Sequence, residues 1–263
     1  MSVKALFVIT TALASLASAI PVQRHRQTRQ TAALPIVVIE GSTPDADGLA
    51  LTQATESLYL YHSRLGQAGT SAIVVTEVAA ADAFWHATLS NATGRYVAGK
   101  ARIQVLVDPA VLNASSVGAW FAGAGTGWPN DFLESSPTHF LGFIGAGTSD
   151  PAALDENTEG WGKGPITYFK GKLEERPAFI PALEDFSEDG QFNLGLALKD
   201  GTTFAHSLTG FRDLPDGEGV EVFQGIWIPD NVPDYVVSGL QEHLTVETAN
   251  WLRLAYRWVM TKA

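Results

Sequence analysis

The chain has 263 residues, a formal net charge of −11 and no cysteine. That charge argues against a basic footprint for nucleic acid or anionic membrane. The missing cysteines exclude disulfides, thiol catalysis and cysteine metal sites, so any metal must be held by His, Asp, Glu and water.

Lys4, the apolar run from Ala5 to Ala17 and Ala17-Ser18-Ala19 before Ile20-Pro21 have the layout of a secretory signal peptide over residues 1–19, cleaved after Ala19. The run is short for a bilayer, and no later stretch is expected to reach the necessary length. The reading is therefore a secreted protein with no membrane and no nucleic-acid partner. Residues 20–33, with Arg24-His25-Arg26-Gln27-Thr28-Arg29, read as a basic, disordered or processed leader. No repeat or linker divides residues 34–263, which read as a single domain. Asn91-Ala92-Thr93 and Asn113-Ala114-Ser115 are glycosylation sequons at Asn91 and Asn113.

Leu34 to Glu40 reads as a short strand or extended entry segment. Ala50 to Gly66 has helical spacing, with Leu51, Ala54, Leu58, Tyr61, His62 and Leu65 on one side. Thr70 to Ala87 is open: Ile73-Val74-Val75 favours strand, and Glu77 to Trp85 favours helix. Arg95 to Val107 alternates as a strand with Ile103, Val105 and Val107 on one face. Asn113 to Gly123 reads as a short capped helix presenting Trp120 and Phe121. From Thr138 onwards, short apolar runs predict strands over His139–Ile144, Ile166–Lys172, Phe192–Leu198, Thr202–Phe211 and Val220–Ile228, with turns at Asp200-Gly201 and Asp216-Gly217. The last stretch, Gly239 to Trp258, is helical, with Leu240, His243, Leu244, Glu247, Trp251 and Leu254 at spacings of three and four. The predicted fold class is α+β: a curved antiparallel sheet around a long C-terminal helix, leaving a cavity between them, with further helices near the N-terminus. Seven tryptophans and thirteen phenylalanines supply an aromatic interior, either as plain core or as the wall of that cavity.

Of six histidines, one lies in the leader, and His62 and His86 sit in aromatic, helical surroundings that suit structural roles. His139, His206 and His243 remain, with Glu156, Glu159, Glu221 and Glu247 as acids able to join them. His243 and Glu247, four apart on one helix face, are either an i,i+4 hydrogen-bonded pair or two ligands of one divalent metal.

The order Trp120-Phe121, Pro137-Thr138-His139-Phe140, Glu159-Gly160-Trp161-Gly162, Arg212-Asp213-Leu214, Gly219-Val220-Glu221-Val222, Ile226-Trp227-Ile228 and His243-Leu244-Thr245-Val246-Glu247 resembles the diacetylphloroglucinol hydrolase family, which also contains phloretin hydrolase. The resemblance covers about residues 105 to 258. It implies a helix-grip fold, a metal held by two histidines and two glutamates, and hydrolysis of the carbon–carbon bond between an acyl group and a phenolic ring. Matched position by position, it implies His139, Glu159, His243 and Glu247 as ligands, with Glu156 as the alternative to Glu159, and Trp120 and Phe121 beside the substrate. The implied cofactor is a divalent metal, zinc first among Zn, Mn and Fe.

Two imidazoles and two carboxylates neutralise a dication and leave a position for water or a substrate oxygen. Cleavage also needs a proton for the departing ring carbon. His206 is the candidate donor, expected to point into the cavity with Phe204 and Leu208 on its face. The alternative function is a non-catalytic secreted carrier of a small apolar metabolite in the same cavity. A third is a structural protein whose histidines are satisfied core residues.

Overall fold

The structure, a computed structural model, describes residues 36–40, 49–121, 136, 139–143, 156–161 and 164–262. All belong to one unit, Leu34–Ala263. The signal-peptide and leader readings lie outside the described residues.

Strand β1 (Ile36–Glu40) is followed by helix α1 (Leu49–Ser90). Gly66 breaks α1 into two helices with a backbone at φ 61° and ψ −178°, a conformation that suits a residue without a Cβ. The open stretch from Thr70 to Ala87 is therefore helix throughout. Val74, Ala81, Trp85 and Thr88 are buried at spacings of seven, four and three, and this stripe overrides the β-preference of Ile73-Val74-Val75. The part from Ala68 to Ser90 is, by length and composition alone, long and apolar enough to cross a membrane. That corrects the expectation that no later stretch would be. Its buried stripe is packed into the core around Trp85, whose indole Nε1 donates to Thr167 Oγ1 at 2.9 Å.

Next come β2 (Tyr96–Leu106) and the short helix α2 (Ala114–Ala119). Asn113 caps α2: its side-chain oxygen accepts from Ser116 N at 2.9 Å, and Ser116 Oγ accepts from Asn113 N at 3.0 Å. Then follow β3 (His139–Phe143), β4 (Glu156–Gly160), β5 (Ile166–Leu173), β6 (Gln191–Ala197), β7 (Thr203–Asp213) and β8 (Gly219–Pro229). The chain ends in helix α3 (Asp234–Met260). Gly201 (φ 89°) and Gly217 (φ 71°) take the left-handed positions in the two tight connections flanking β7. β4 was not among the predicted strands, because Glu-Asn-Thr-Glu-Gly offers no apolar alternation.

The strands form one antiparallel sheet in the order β1-β2-β8-β7-β6-β5-β4-β3. Its two ends both reach α3. Near one end, Gly99 of β2 lies so close to α3 that an added Cβ would sit 2.7 Å from Leu240 Cγ. At the other, His139 on the edge strand β3 faces His243 with 3.4 Å between their Nε2 atoms. A flat sheet could not touch the helix from both ends, so the sheet curls around α3 in a helix-grip arrangement. Gln241 reinforces the grip. β1 pairs with β2 only as far as Arg102, and at Lys100 the Gln241 amide accepts from the backbone N–H at 2.9 Å and donates to its carbonyl.

Side chains alternate between the two faces of the sheet. Toward α3 point Ala101, Ile103 and Val105 of β2 and Val220, Val222, Gln224, Ile226 and Ile228 of β8. The face away from α3 is covered by the segment between β5 and β6, where Ile180, Leu183 and Phe186 pack on Leu208, Phe223 and Trp227. Glu221 lies on this outer face, fully buried, accepting from Arg102 Nε at 2.8 Å and Arg212 Nε at 2.9 Å. It is an ion-pair hub under Phe186 and takes no part in the histidine cluster.

Candidate metal centre

The inner core has two apolar clusters along α3. One gathers Val236, Leu240 and Leu244 with Trp85, Trp161 and Phe204; the other gathers Ala249, Trp251, Leu252 and Ala255 with Trp120, Phe211 and Val222. Between them on α3 lie His243 and Glu247, both buried. Helical periodicity puts these two on one face, and strand pairing supplies their partners. His139 of β3 is the register partner of Glu159 of β4, so both side chains leave the sheet on the same face, side by side.

The four side chains converge. His139 Nε2 and His243 Nε2 are 3.4 Å apart. His243 Nε2 is 3.4 Å from Glu159 Oε2 and 3.7 Å from Glu247 Oε2. His139 Nε2 is 3.4 Å from Glu247 Oε1 and 3.9 Å from Glu159 Oε2. Two ligands at metal bonds of ~2.0–2.1 Å in a tetrahedron stand ~3.3–3.4 Å apart, and the His139–His243 and His243–Glu159 distances match that spacing. His139, Glu159 and His243 form a buried cluster that could hold a metal ion, and Glu247 lies beside it, with Oε1 3.4 Å from His139 Nε2 and Oε2 3.7 Å from His243 Nε2. Glu156 is the register partner of Phe143, three residues along β4, and half-exposed beside Lys170. Glu159, not Glu156, faces the histidines.

Three arms of the cluster, Glu159, Glu247 and His243, have partners behind them. Trp161 Nε1 donates to Glu159 Oε2 at 3.2 Å. Gln224 Nε2 donates to Glu247 Oε2 at 3.0 Å, and Thr248 Oγ1 donates to Gln224 Oε1 at 2.8 Å, which fixes the orientation of the Gln224 amide. Ser136 Oγ lies 3.4 Å from His243 Nδ1. Such outer partners orient metal ligands and set their basicity. Sequence reading missed all four. Gln224 had a legible signal, as the single polar residue among Val220, Val222, Ile226 and Ile228 on one face of β8.

Burial pushes the Glu159 carboxyl up, but the His139 charge, the hydrogen bond and charge of His243 and the bond from Trp161 outweigh it and hold Glu159 below the usual carboxylate range. Burial, with the Glu159 charge beside it, lifts Glu247 well above that range against the bond from Gln224. Two carboxylates crowded in a dry site resist ionising together unless a cation joins them.

His206 is not part of this site. Its register partner is Trp227, on the face away from α3, and its Nδ1 meets Glu174 Oε1 at 2.5 Å between the rings of Tyr96 and Phe179. The expectation failed at a β-bulge. Leu196 pairs with Ala205 and Ala197 with Thr203, so Phe204 is the extra residue and turns inward with Ala205. His206 does share a face with Leu208, but that face is the outer one.

Trp120 and Phe121 stand in the inner core at the Trp251 end, with the Phe121 ring 4.7 Å from Trp251 and 5.6 Å from Phe211. Asn91 is exposed at the end of α1. Asn113 is half-buried and its amide nitrogen donates to Pro109 O at 3.0 Å, as that of Asn91 donates to Ala87 O at 2.8 Å. His86 pairs on the surface with Asp200 at 3.2 Å, and the side chain of His62 lies outside the described residues.

No family model matches the chain, and no curated protein does. Among solved structures it is similar to the crystal structure of Ara h 8.0201, at 13% identity and a TM-score of 0.37, over 64% of this chain and 99% of that one.

Proposed function

We propose that the protein is a zinc-dependent hydrolase that cleaves the carbon–carbon bond between an acyl group and a phenolic ring, akin to the diacetylphloroglucinol and phloretin hydrolases. The observation that carries this reading is the buried convergence of His139, Glu159, His243 and Glu247, with ligand-to-ligand distances of 3.4–3.9 Å. A non-catalytic carrier has no use for two mutually repelling buried carboxylates, so the cluster favours the enzyme. The nitrogen–oxygen donor set of His139, Glu159 and His243 suits zinc.

In the reaction, water adds to the acyl carbon and the bond to the ring breaks. Its electron pair goes to the ring carbon, which takes up a proton; the products are a carboxylic acid and the deacylated phenol. His139, Glu159 and His243, with Glu247 beside them, would hold a divalent ion, which would supply Lewis acidity to the acyl group and the attacking water. The four side chains are buried, and Trp120 and Phe121 offer flat apolar surface for the ring. The proton for the ring carbon comes from a group on the α3 side of the sheet, not from His206. The Ala17-Ser18-Ala19 signal supports secretion, and the exposed Asn91 is the better of the two glycan acceptors.

The test is to incubate zinc-loaded protein with 2,4-diacetylphloroglucinol and with phloretin and follow acid release by proton NMR. Release from either that disappears in His243→Ala supports the reading. No release from either by protein shown to hold zinc contradicts it.

A further inference from the structure

The buried tryptophans of the inner core treat their ring N–H groups differently. Trp85 Nε1 donates to Thr167 Oγ1 at 2.9 Å, and Trp161 Nε1 donates to Glu159 Oε2 at 3.2 Å. Trp251 is 3% exposed, yet its Nε1 is buried with no hydrogen-bond partner among the described residues. An indole N–H can only donate, and a buried donor is almost always given an acceptor. Trp251 follows Glu247 by about one turn of α3 and His243 by about two, on the same helix face, so it stands ~6 Å along the axis from the nearer ligand. Around it are the apolar rings of Phe121, Phe211 and Phe192 and the side chains of Leu252 and Leu254. The site thus has one unspent donor beside its ligands, set in an aromatic wall.

We infer that Trp251 Nε1–H is the donor that receives a phenolic oxygen of the bound ligand and sets which ring substituents the site accepts. This rests on the acyl-phenol reading above. One helical turn between Glu247 and Trp251 matches a ligand that places its acyl oxygen at the histidine–glutamate cluster and a ring hydroxyl at the indole. The flat ring between them packs against Phe121. Trp251 is a positioning and specificity residue, and the bond-breaking groups lie a turn away.

The experiment uses zinc-loaded full-length protein with two probes, 2,4,6-trihydroxyacetophenone and acetophenone, which differ only in the ring hydroxyls. Binding is measured by calorimetry for the wild type and Trp251→Phe, and the indole N–H signals of the ¹⁵N-labelled wild type are followed by NMR. Expected is a roughly 3- to 10-fold weaker affinity of Trp251→Phe for the trihydroxy probe, the size of one neutral hydrogen bond, with zinc retained and acetophenone binding unchanged. The Trp251 indole signal of the wild type should move downfield with the trihydroxy probe and not with acetophenone. Equal affinity of both proteins for the trihydroxy probe, or an indole signal that does not move, overturns the inference; the wild-type NMR decides even if the variant fails to fold. A wild type that holds zinc and binds neither probe also overturns it. If the indole responds and no substrate is ever cleaved, the hydrolase reading falls while the role of Trp251 stands. If cleavage occurs and Trp251→Phe is indifferent to the hydroxyls, the reverse holds.

Discussion

Glu247 is a carboxyl that the fold discourages from ionising, because burial and the neighbouring Glu159 both raise it above its ordinary 4.5. A group raised in this way binds more protons folded than unfolded between the two values. In the metal-free protein its contribution to stability is full below about pH 4.5 and is lost as pH climbs toward the raised folded value. Glu159, held low, acts in the opposite sense below that window: its contribution is present above about 4.5 and fades as pH falls. Metal-free Glu247→Gln should therefore lose the decline in stability that sets in above about pH 4.5 and that the metal-free wild type shows in urea titrations. An unchanged pH dependence would mean that Glu247 is not the titrating group. Metal binding must expel the Glu247 proton, so affinity for zinc should rise with pH over the same range. His206, paired with Glu174 on the outer face, gives a contrasting expectation: His206→Gln keeps full metal occupancy, with turnover within about two-fold of wild type. A sharp drop in turnover would return it to the mechanism.

Elements place these residues, and they differ in how plainly the sequence announces them. Helix α3 was legible because Leu240, His243, Leu244, Glu247, Trp251 and Leu254 keep helical spacing over several turns. Its polar pair therefore stood out on an apolar stripe. β4 was not legible, although it carries Glu159: a five-residue strand of Glu, Asn, Thr and Gly takes its conformation from pairing with β3 and β5, which no local pattern records. The bulge opposite Leu196 and Ala197 was equally silent and reversed the expected side of His206. Gln224 of β8 is the element-scale test of the centre, since its amide links Glu247 to Thr248. Gln224→Leu should weaken zinc affinity about 10- to 100-fold while the ligands remain, read by competition with a chromogenic chelator. Unaltered affinity would show that Glu247 needs no such support. Gly99 tests the grip itself: Gly99→Ala puts a methyl group against Leu240 and the backbone of Gln241 and should cost about 1–3 kcal/mol in denaturant unfolding.

For the whole molecule, the curled sheet and α3 set the histidine–glutamate cluster between two apolar clusters of the inner core. The fold class could be read from strands closing on one helix, and the candidate cluster of His139, Glu159 and His243 from the spacing on α3 together with the order of motifs upstream. The pairing of His139 with Glu159 required the sheet register, which is long-range. Trp85 ties α1 to β5 and to Trp161 and Phe204 at ring distances of 5.8 and 4.6 Å. Trp85→Ala should destabilise the fold by about 3–5 kcal/mol. The central claim, that the fold assembles one metal site from β3, β4 and α3, is tested most directly by elemental analysis of the purified protein and of His139→Ala and His243→Ala. The account predicts about one equivalent of zinc or another divalent transition metal in the wild type and less than about a tenth of that in either variant. A metal-free wild type, or variants that keep their full metal content, would contradict it.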